Sequence, residues 1–257
     1  MLTLHALPAF EDNYIWALAA PDGRALIVDP GQTAPVVRAS EDGLRPVAIL
    51  LTHHHADHIG GARELAQRWN LRCYAPADER IDGADEVVVE GSRVRVPEIG
   101  AEFDVMEVPG HTRSHVAFVG AGQLFCGDTL FSLGCGRLFE GTAEQMLASL
   151  DRLRTLPGTL QVCCGHEYTV ANGRFAAVVE PENEALRQRR QEAAQARAAG
   201  RPSVPSRLEQ ECATNPFLRC DQPGPIQAVT SRLGRPPQNR IETFATLRAW
   251  KDGFRAA

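Results

Sequence analysis

No apolar run in this 257-residue sequence approaches 18 residues, so no membrane-spanning helix is expected. Met1-Leu2-Thr3-Leu4-His5 carries neither a basic stretch nor a long apolar segment, so no secretory signal is expected. Paired Cys-x-x-Cys units are missing, which removes a zinc ribbon. The seven cysteines (73, 126, 135, 163, 164, 212 and 220) are odd in number and scattered, a usage that fits reduced thiols in the cytoplasm. Cys163-Cys164 lies in an apolar run and reads as buried strand, since adjacent cysteines rarely reach disulfide geometry. Excess positive charge is absent too. Lys and Arg total 27 against 32 Asp and Glu, a net charge of −5, which argues against a general nucleic-acid binder. A small anionic substrate needs only local positive charge and stays open. No internal repeat of 20–50 residues is visible. The remaining composition, 44 % hydrophobic and 23 % charged, is that of a soluble globular protein with one large or two modest domains.

What the chain does have is histidine in one place. Thr52-His53-His54-His55-Ala56-Asp57-His58 holds four of the eight histidines and a carboxylate. It follows the apolar run Val47–Leu51 and precedes a helix-like start at Ile59-Gly60-Gly61. The cluster therefore reads as a loop at the carboxyl end of a buried strand, where layered α/β proteins place ligands. Imidazole and carboxylate suit zinc, iron or manganese. His53 and His55 are two apart and point the same way in an extended segment, whereas Asp57 and His58 are adjacent and need not serve the same ion. Two metal sites, one per pair, is the simplest geometry. A solvated His-rich turn is the bland alternative, and it belongs at a terminus rather than between strand and helix.

The rest of the first two-thirds reads as layered α/β. Strands are expected at 2–7, 13–19, 25–29 and 47–51, around 72–74, within 84–108, as a hairpin at 115–119 and 123–127, and at 159–164. Helices are expected at 33–41, 60–69 and 142–154, the last capped by Thr142. From about residue 170 strand-like runs disappear. A mostly polar helix at 182–199, Pro-rich connectors at 200–206 and 220–225, and an amphipathic helix at 239–252 with Ile241, Phe244, Leu247 and Trp250 on one face remain. An α/β domain followed by a smaller helical one is the expectation.

Three later strands end the way 47–51 does. Pro109-Gly110-His111, Gly127-Asp128 and Gly165-His166 each present a ligand type after an apolar strand and a glycine. One such event is more often structural; three beside a His-x-His-x-Asp-His loop are not. The count fits His53, His55 and His111 on one ion, Asp57, His58 and His166 on a second, and Asp128 bridging, because a carboxylate has two oxygens and a charge that offsets two dications. His5 reads as a surface or packing residue, His54 as pointing away from the ions, and His115 as an orienting neighbour or a packing one.

The 52–58 motif with His111, Asp128 and His166 resembles the metallo-β-lactamase superfamily, whose fold alone does not name a reaction. The stretch 127–142 (GDTLFSLGCGRLFEGT), Cys164-Gly165-His166-Glu167-Tyr168-Thr169, Val204-Pro205-Ser206, 215–219 (NPFLR) and 248–252 (RAWKD) resemble the glyoxalase II, or hydroxyacylglutathione hydrolase, family over nearly the whole chain. The resemblance implies a four-layer αββα sandwich with a C-terminal all-α domain, residues 1–170 catalytic and 171–257 helical and substrate-binding. It implies cleavage of S-D-lactoylglutathione to D-lactate and glutathione, the second step of methylglyoxal detoxification. It also implies substrate contacts at Arg137, Phe139, Tyr168, Arg248 and Lys251. Those cations make chemical sense: glutathione carries two carboxylates, and Arg248 and Lys251, three apart, share a helix face. Three positions depart from the family's usual residues: Phe139 stands where some members have Tyr, Arg137 where some have Lys, and Ser114 where Gly is common.

The expected mechanism is hydrolysis by hydroxide that two divalent ions activate, zinc favoured and iron or manganese acceptable, with Asp57 and Asp128 in the chemistry. A thiolate leaving group with a pKa near ~8.5 needs no dedicated acid. A monomer acting on a small glutathione thioester, with no nucleic-acid or membrane partner, completes the expectation. Two rivals remain: a one-iron persulfide dioxygenase of the same superfamily, which would lack the helical end, and a non-catalytic metal-binding scaffold.

Overall fold

The architecture is known from a computed structural model that describes residues 1–255. The chain divides into two compact units. The first comprises 1–108, 114–127 and 163–166, the second 109–113, 128–162 and 167 onward.

The first unit opens with β1 (Thr3–Ala9), β2 (Asn13–Ala19), β3 (Arg24–Val28), α1 (Thr33–Glu41), β4 (Arg45–Leu50), α2 (Ala56–Ile59), α3 (Ala62–Trp69), β5 (Arg72–Pro76) and β6 (Glu86–Val88). The six strands form one sheet in sequence order. β1, β2 and β3 pair antiparallel and β3 to β6 parallel. The sense changes where the linkers lengthen, because parallel neighbours need a crossover, and α1 and α3 supply it from β3 to β4 and from β4 to β5. Every residue of β2 is buried, so both its faces are covered. Ile15, Ala17 and Ala19 pack with Val36 of α1 and Leu65 of α3. Trp16, on the opposite face, donates its indole N–H to the Cys164 carbonyl at 2.9 Å.

β7 (Arg93–Val96), β8 (Ala101–Glu107), β9 (Val116–Gly120) and β10 (Gln123–Gly127) form an antiparallel meander. Here the pattern alternates: Phe103 and Val105 are buried while Glu102 and Asp104 face solvent and pair with Arg95 and Arg93. Tyr74 of the first sheet donates to the Arg95 carbonyl at 3.5 Å, so the two sheets meet face to face in this unit.

The second unit holds β11 (Leu130–Phe131), β12 (Gly134–Cys135), α4 (Ala143–Arg154), the start of β13 (Gln161–Cys164), α5 (Thr169–Val179), α6 (Glu184–Ala198), β14 (Ser206–Arg207), α7 (Leu208–Thr214), α8 (Pro223–Leu233) and α9 (Arg240–Asp252). Thr142 caps α4 in a reciprocal capping box with Gln145, and Asn183 and Asn239 cap α6 and α9. Phe175, Phe217 and Phe244 are fully buried, with ring centroids 6.0 Å (Phe175–Phe217) and 5.9 Å (Phe217–Phe244) apart.

Two readings of the helical end are corrected. The expected connector 220–225 enters α8 at Pro223, because a proline in the first turn lacks only an N–H that would go unused there. Ile241, expected inward on α9, is exposed, and Thr243 and Arg248 take buried places beside Phe244 and Leu247. Helix α5 goes unread in the sequence because Asn172-Gly173 weakens its propensity. A Cβ at Gly173 would stand 2.9 Å from the Arg190 side chain, so the glycine is there for close helix approach.

Candidate metal centre and substrate pocket

In the first unit β4 ends into the loop 51–55, and Thr52, His53 and His58 are buried. The orientation of each imidazole follows from what holds its Nδ1. Asp29, at the end of β3, accepts from the Thr52 N–H (2.8 Å) and the Thr52 hydroxyl (2.6 Å). Because that hydroxyl proton goes to Asp29, Thr52 Oγ1 accepts the His53 Nδ1–H at 3.0 Å. Asp29 also accepts the His58 Nδ1–H at 3.0 Å. Asp12 accepts the His166 Nδ1–H at 2.8 Å. In each ring Nε2 is thereby the nitrogen placed to take a ligand, the arrangement in which a second partner sets the tautomer of a histidine that could hold a metal.

Those nitrogens converge. His53 Nε2 and His55 Nδ1 are 3.0 Å apart. Asp57 Oδ2 lies 3.6 Å from His58 Nε2 and 3.4 Å from His166 Nε2. Ligands at 2.0–2.1 Å around one tetrahedral zinc stand roughly 3.3 Å apart, so the separations match shared coordination. The ligand atoms of Asp57, His58 and His166 all fall within 4.8 Å of one another. Asn13 Nδ2 donates to Asp57 Oδ2 at 2.9 Å and fixes that carboxylate. Asp29, also near His53 and His58, is an orienting group, since its oxygens already serve three donors. His115 is buried, donates Nδ1–H to the Val116 carbonyl at 3.1 Å and stacks on His53 with centroids 4.6 Å apart. Gly127, at φ +46°, allows this packing: a Cβ there would come 2.3 Å from Thr52 Oγ1.

The second unit carries His111 and Asp128. The Arg137 carbonyl accepts the His111 Nδ1–H at 2.9 Å, and His111 Nε2 lies 3.4 Å from Asp128 Oδ2. A Cβ on Gly136 would sit 1.9 Å from the Asp128 carbonyl oxygen, so only glycine admits this approach. Both residues line a cavity of about 460 Å³ together with Arg137, Phe139, Tyr168, Arg248 and Lys251, every substrate residue named from the sequence. Phe139 is 62 % exposed and its ring lies edge-on to His111 at 5.2 Å. Burial, and then the neighbouring Arg248 and Arg137 charges, push the Lys251 pKa below the usual lysine range. Arg248 is buried. It donates to the Cys135 carbonyl (2.6 Å) and to Asp252 (3.1 Å), so it braces the β12 turn as well as lining the cavity. A larger cavity of about 750 Å³ lies among α5, the 180–183 connector, α7 and α8, but its Arg219 is held by the buried Glu180 and no histidine lines it.

The residues that sequence reasoning missed are Asp29, Asp12 and Asn13. Asp29 had the same signal as Asp128, an acid at an apolar strand's end. Asp12-Asn13 read only as a turn between strands.

Comparison with known proteins gives the family. The metallo-beta-lactamase superfamily model matches residues 11–166, and the model of the hydroxyacylglutathione hydrolase C-terminus matches 167–254. A hydroxyacylglutathione hydrolase of Xanthomonas euvesicatoria pv. vesicatoria (strain 85-10) is 58 % identical, covering 99 % of this chain and 100 % of its own. One of Xylella fastidiosa (strain M12) is 55 % identical over 98 % of both chains. The chain belongs to the hydroxyacylglutathione hydrolase family. Among solved structures, ETHE1 from Myxococcus xanthus shares the fold at a TM-score of 0.65 with 23 % identity, covering 96 % of this chain and 89 % of that one. TTHA1623 in a di-iron-bound form aligns at a TM-score of 0.58 with 25 % identity, covering 84 % of this chain and all of that one. Membership in the hydroxyacylglutathione hydrolase family carries the expected metallo-β-lactamase α/β fold with a helical C-terminal region, and a binuclear metal site with zinc foremost. The C-terminal match, with relatives 55–58 % identical over nearly the full length, favours the hydrolase over the one-iron dioxygenase rival. No helix among the described residues is long and apolar enough to cross a membrane.

Proposed function

We propose that the chain hydrolyses S-(2-hydroxyacyl)glutathione thioesters, chiefly S-D-lactoylglutathione to D-lactate and glutathione. The observation that carries this is the cavity in which three cations, Arg137, Arg248 and Lys251, stand with His111 and Asp128. A tripeptide thioester with two carboxylates matches that charge. His53, His55 and His111 would hold one divalent ion, Asp57, His58 and His166 a second, and Asp128 would bridge them. The donor set suits zinc, and iron or manganese as well; the di-iron form of TTHA1623 supports iron as the alternative. When bound, the ions supply Lewis acidity and lower the pKa of water toward ~7.

The chain's own residues do the rest. Asp57, fixed by Asn13, orients the attacking water by accepting its hydrogen bond. Arg137 and Lys251 take the substrate carboxylates, and the Tyr168 hydroxyl faces the peptide. Phe139 covers the thioester side with an apolar ring. The glutathione thiolate departs without a proton donor because its conjugate acid has a pKa near ~8.5. Residues 1–170 serve catalysis and 171–257 serve substrate binding, a division that the boundary between the two family matches at 166/167 supports. We read the enzyme as a cytoplasmic monomer acting on a small molecule, with neither nucleic acid nor membrane as partner. Supporting this, its seven cysteines form no disulfide among the described residues and its net charge is −5.

The test is thioester cleavage by metal-analysed protein. The wild type cleaves S-D-lactoylglutathione, Asp128→Ala loses the activity together with metal, and Asp57→Asn at full metal content loses on the order of 100-fold in kcat. Wild-type protein that holds two ions and leaves the thioester intact refutes the reading.

A further inference from the structure

Asp78 lies in the segment between β5 and β6, outside every motif that pointed to the metal centre, yet its side chain is only 4 % exposed. Its Oδ1 accepts from the Arg80 backbone N–H at 3.0 Å and from Arg80 Nε at 2.7 Å, and its Oδ2 accepts from Arg80 Nη2 at 2.8 Å. The same Oδ2 accepts the Ser114 hydroxyl at 2.5 Å and stands 3.3 Å from His54 Nδ1. His54 lies in the chain between His53 and His55. Ser114 lies between His111 and His115. One carboxylate therefore reaches both loops, by a hydrogen bond at Ser114 and at ion-pair distance at His54, two residues outside the proposed ligand set. Arg80, reinforced by Ser114, keeps the carboxyl ionised well below the usual carboxylate range, so the grip stays charged throughout the neutral range.

We propose that Asp78 is a positioning residue for the metal centre, clasping the His53–His55 loop through His54 and the His111–His115 loop through the Ser114 hydroxyl. This also gives a role to Ser114, the position where the sequence departs from the family's common glycine. The hydroxyl is a contact that glycine would not have, and it shifts part of the loop's stiffness from backbone to side chain. The clasp rests on the metal-centre reading above and acts on preorganisation: ligands held in place before the ion arrives lose less freedom when it binds.

The experiment is cobalt titration of metal-stripped full-length protein against a competing chelator, followed by visible absorption. Thermal unfolding of each metal-free variant is measured alongside. Ser114→Ala and Asp78→Asn are expected to weaken cobalt affinity by about tenfold, the lower end of what loss of a ligand-orienting partner costs. Ser114→Thr, which keeps the hydroxyl, restores it. Metal-free melting points stay level, and kcat falls at sub-saturating metal while KM stays within twofold. Ser114→Ala with wild-type cobalt affinity overturns the clasp, even if Asp78→Asn fails to fold. So does an affinity loss matched by an equal loss of metal-free stability. A wild-type chain that binds no cobalt instead overturns the metal-centre reading itself.

Discussion

A histidine is a ligand or a spectator according to which of its nitrogens carries the proton. In this protein Asp29, through Thr52 and directly, and Asp12 stand against Nδ1 of His53, His58 and His166, three of the proposed ligands. The lysine of the cavity is tuned by its neighbours as well. Lys251 has its pKa lowered by burial and by Arg248 and Arg137, so in the empty cavity it gives up its proton at a lower pH than an exposed lysine. An arriving carboxylate favours the protonated form. Binding is therefore strong below the lowered pKa and weakens as pH rises through it. KM should climb on the alkaline side, below the usual lysine range, while kcat changes little. Lys251→Gln should raise KM by roughly tenfold, as loss of one charge-assisted hydrogen bond does, and should flatten that alkaline limb. A KM–pH profile that Lys251→Gln leaves unaltered would remove Lys251 from substrate binding.

At the scale of single elements, the helices are held by local signals that a sequence displays openly. Thr142 and Gln145 satisfy each other's orphan N–H groups at the start of α4, and Met146, Leu147, Leu150 and Leu153 bury one stripe of it. Thr142→Ala should cost about 1 kcal/mol in urea unfolding, with cleavage by the folded fraction unchanged. A loss below a few tenths would mean that the cap is idle. Those same signals explain what was legible. Strands β1 and β2, α1, the hairpin of β9 and β10, α4, α6 and α9 stand where periodicity and caps put them. Helices α5 and α7 and the pairing of β14 with β13 were not legible. The first carries a glycine for close packing and the second is seven residues long. β14 is two residues whose pairing with Gln161 and Val162 depends on a distant strand.

For the whole molecule, the metal centre couples to stability. The proposed ligands come from loops that β4, β8, β10 and β13 deliver, so an ion that binds only the assembled set stabilises the folded state by mass action. Dialysis against a chelator should lower the melting temperature, and zinc should restore it. At a free ion concentration a hundred times the dissociation constant, each site contributes about 2.7 kcal/mol. A melting temperature indifferent to chelation would mean that the loops hold no ion in solution.

The chemistry of this protein is written in its sequence. Donor types, their places at strand ends, the cationic residues at 137, 248 and 251, and the helix caps are all local facts, visible because hydrophobic period and turn residues act over a few neighbours. The pairing of orienting groups with ligands is not local: Asp12 meets His166 across 154 positions, and Asp29 meets His58 across 29. No periodicity reports such a meeting, because it is decided by which strand ends the sheet topology brings side by side. The tertiary structure alone therefore determined the Nδ1 partners of His53, His58 and His166, the contacts of Asp78 and the bracing role of Arg248.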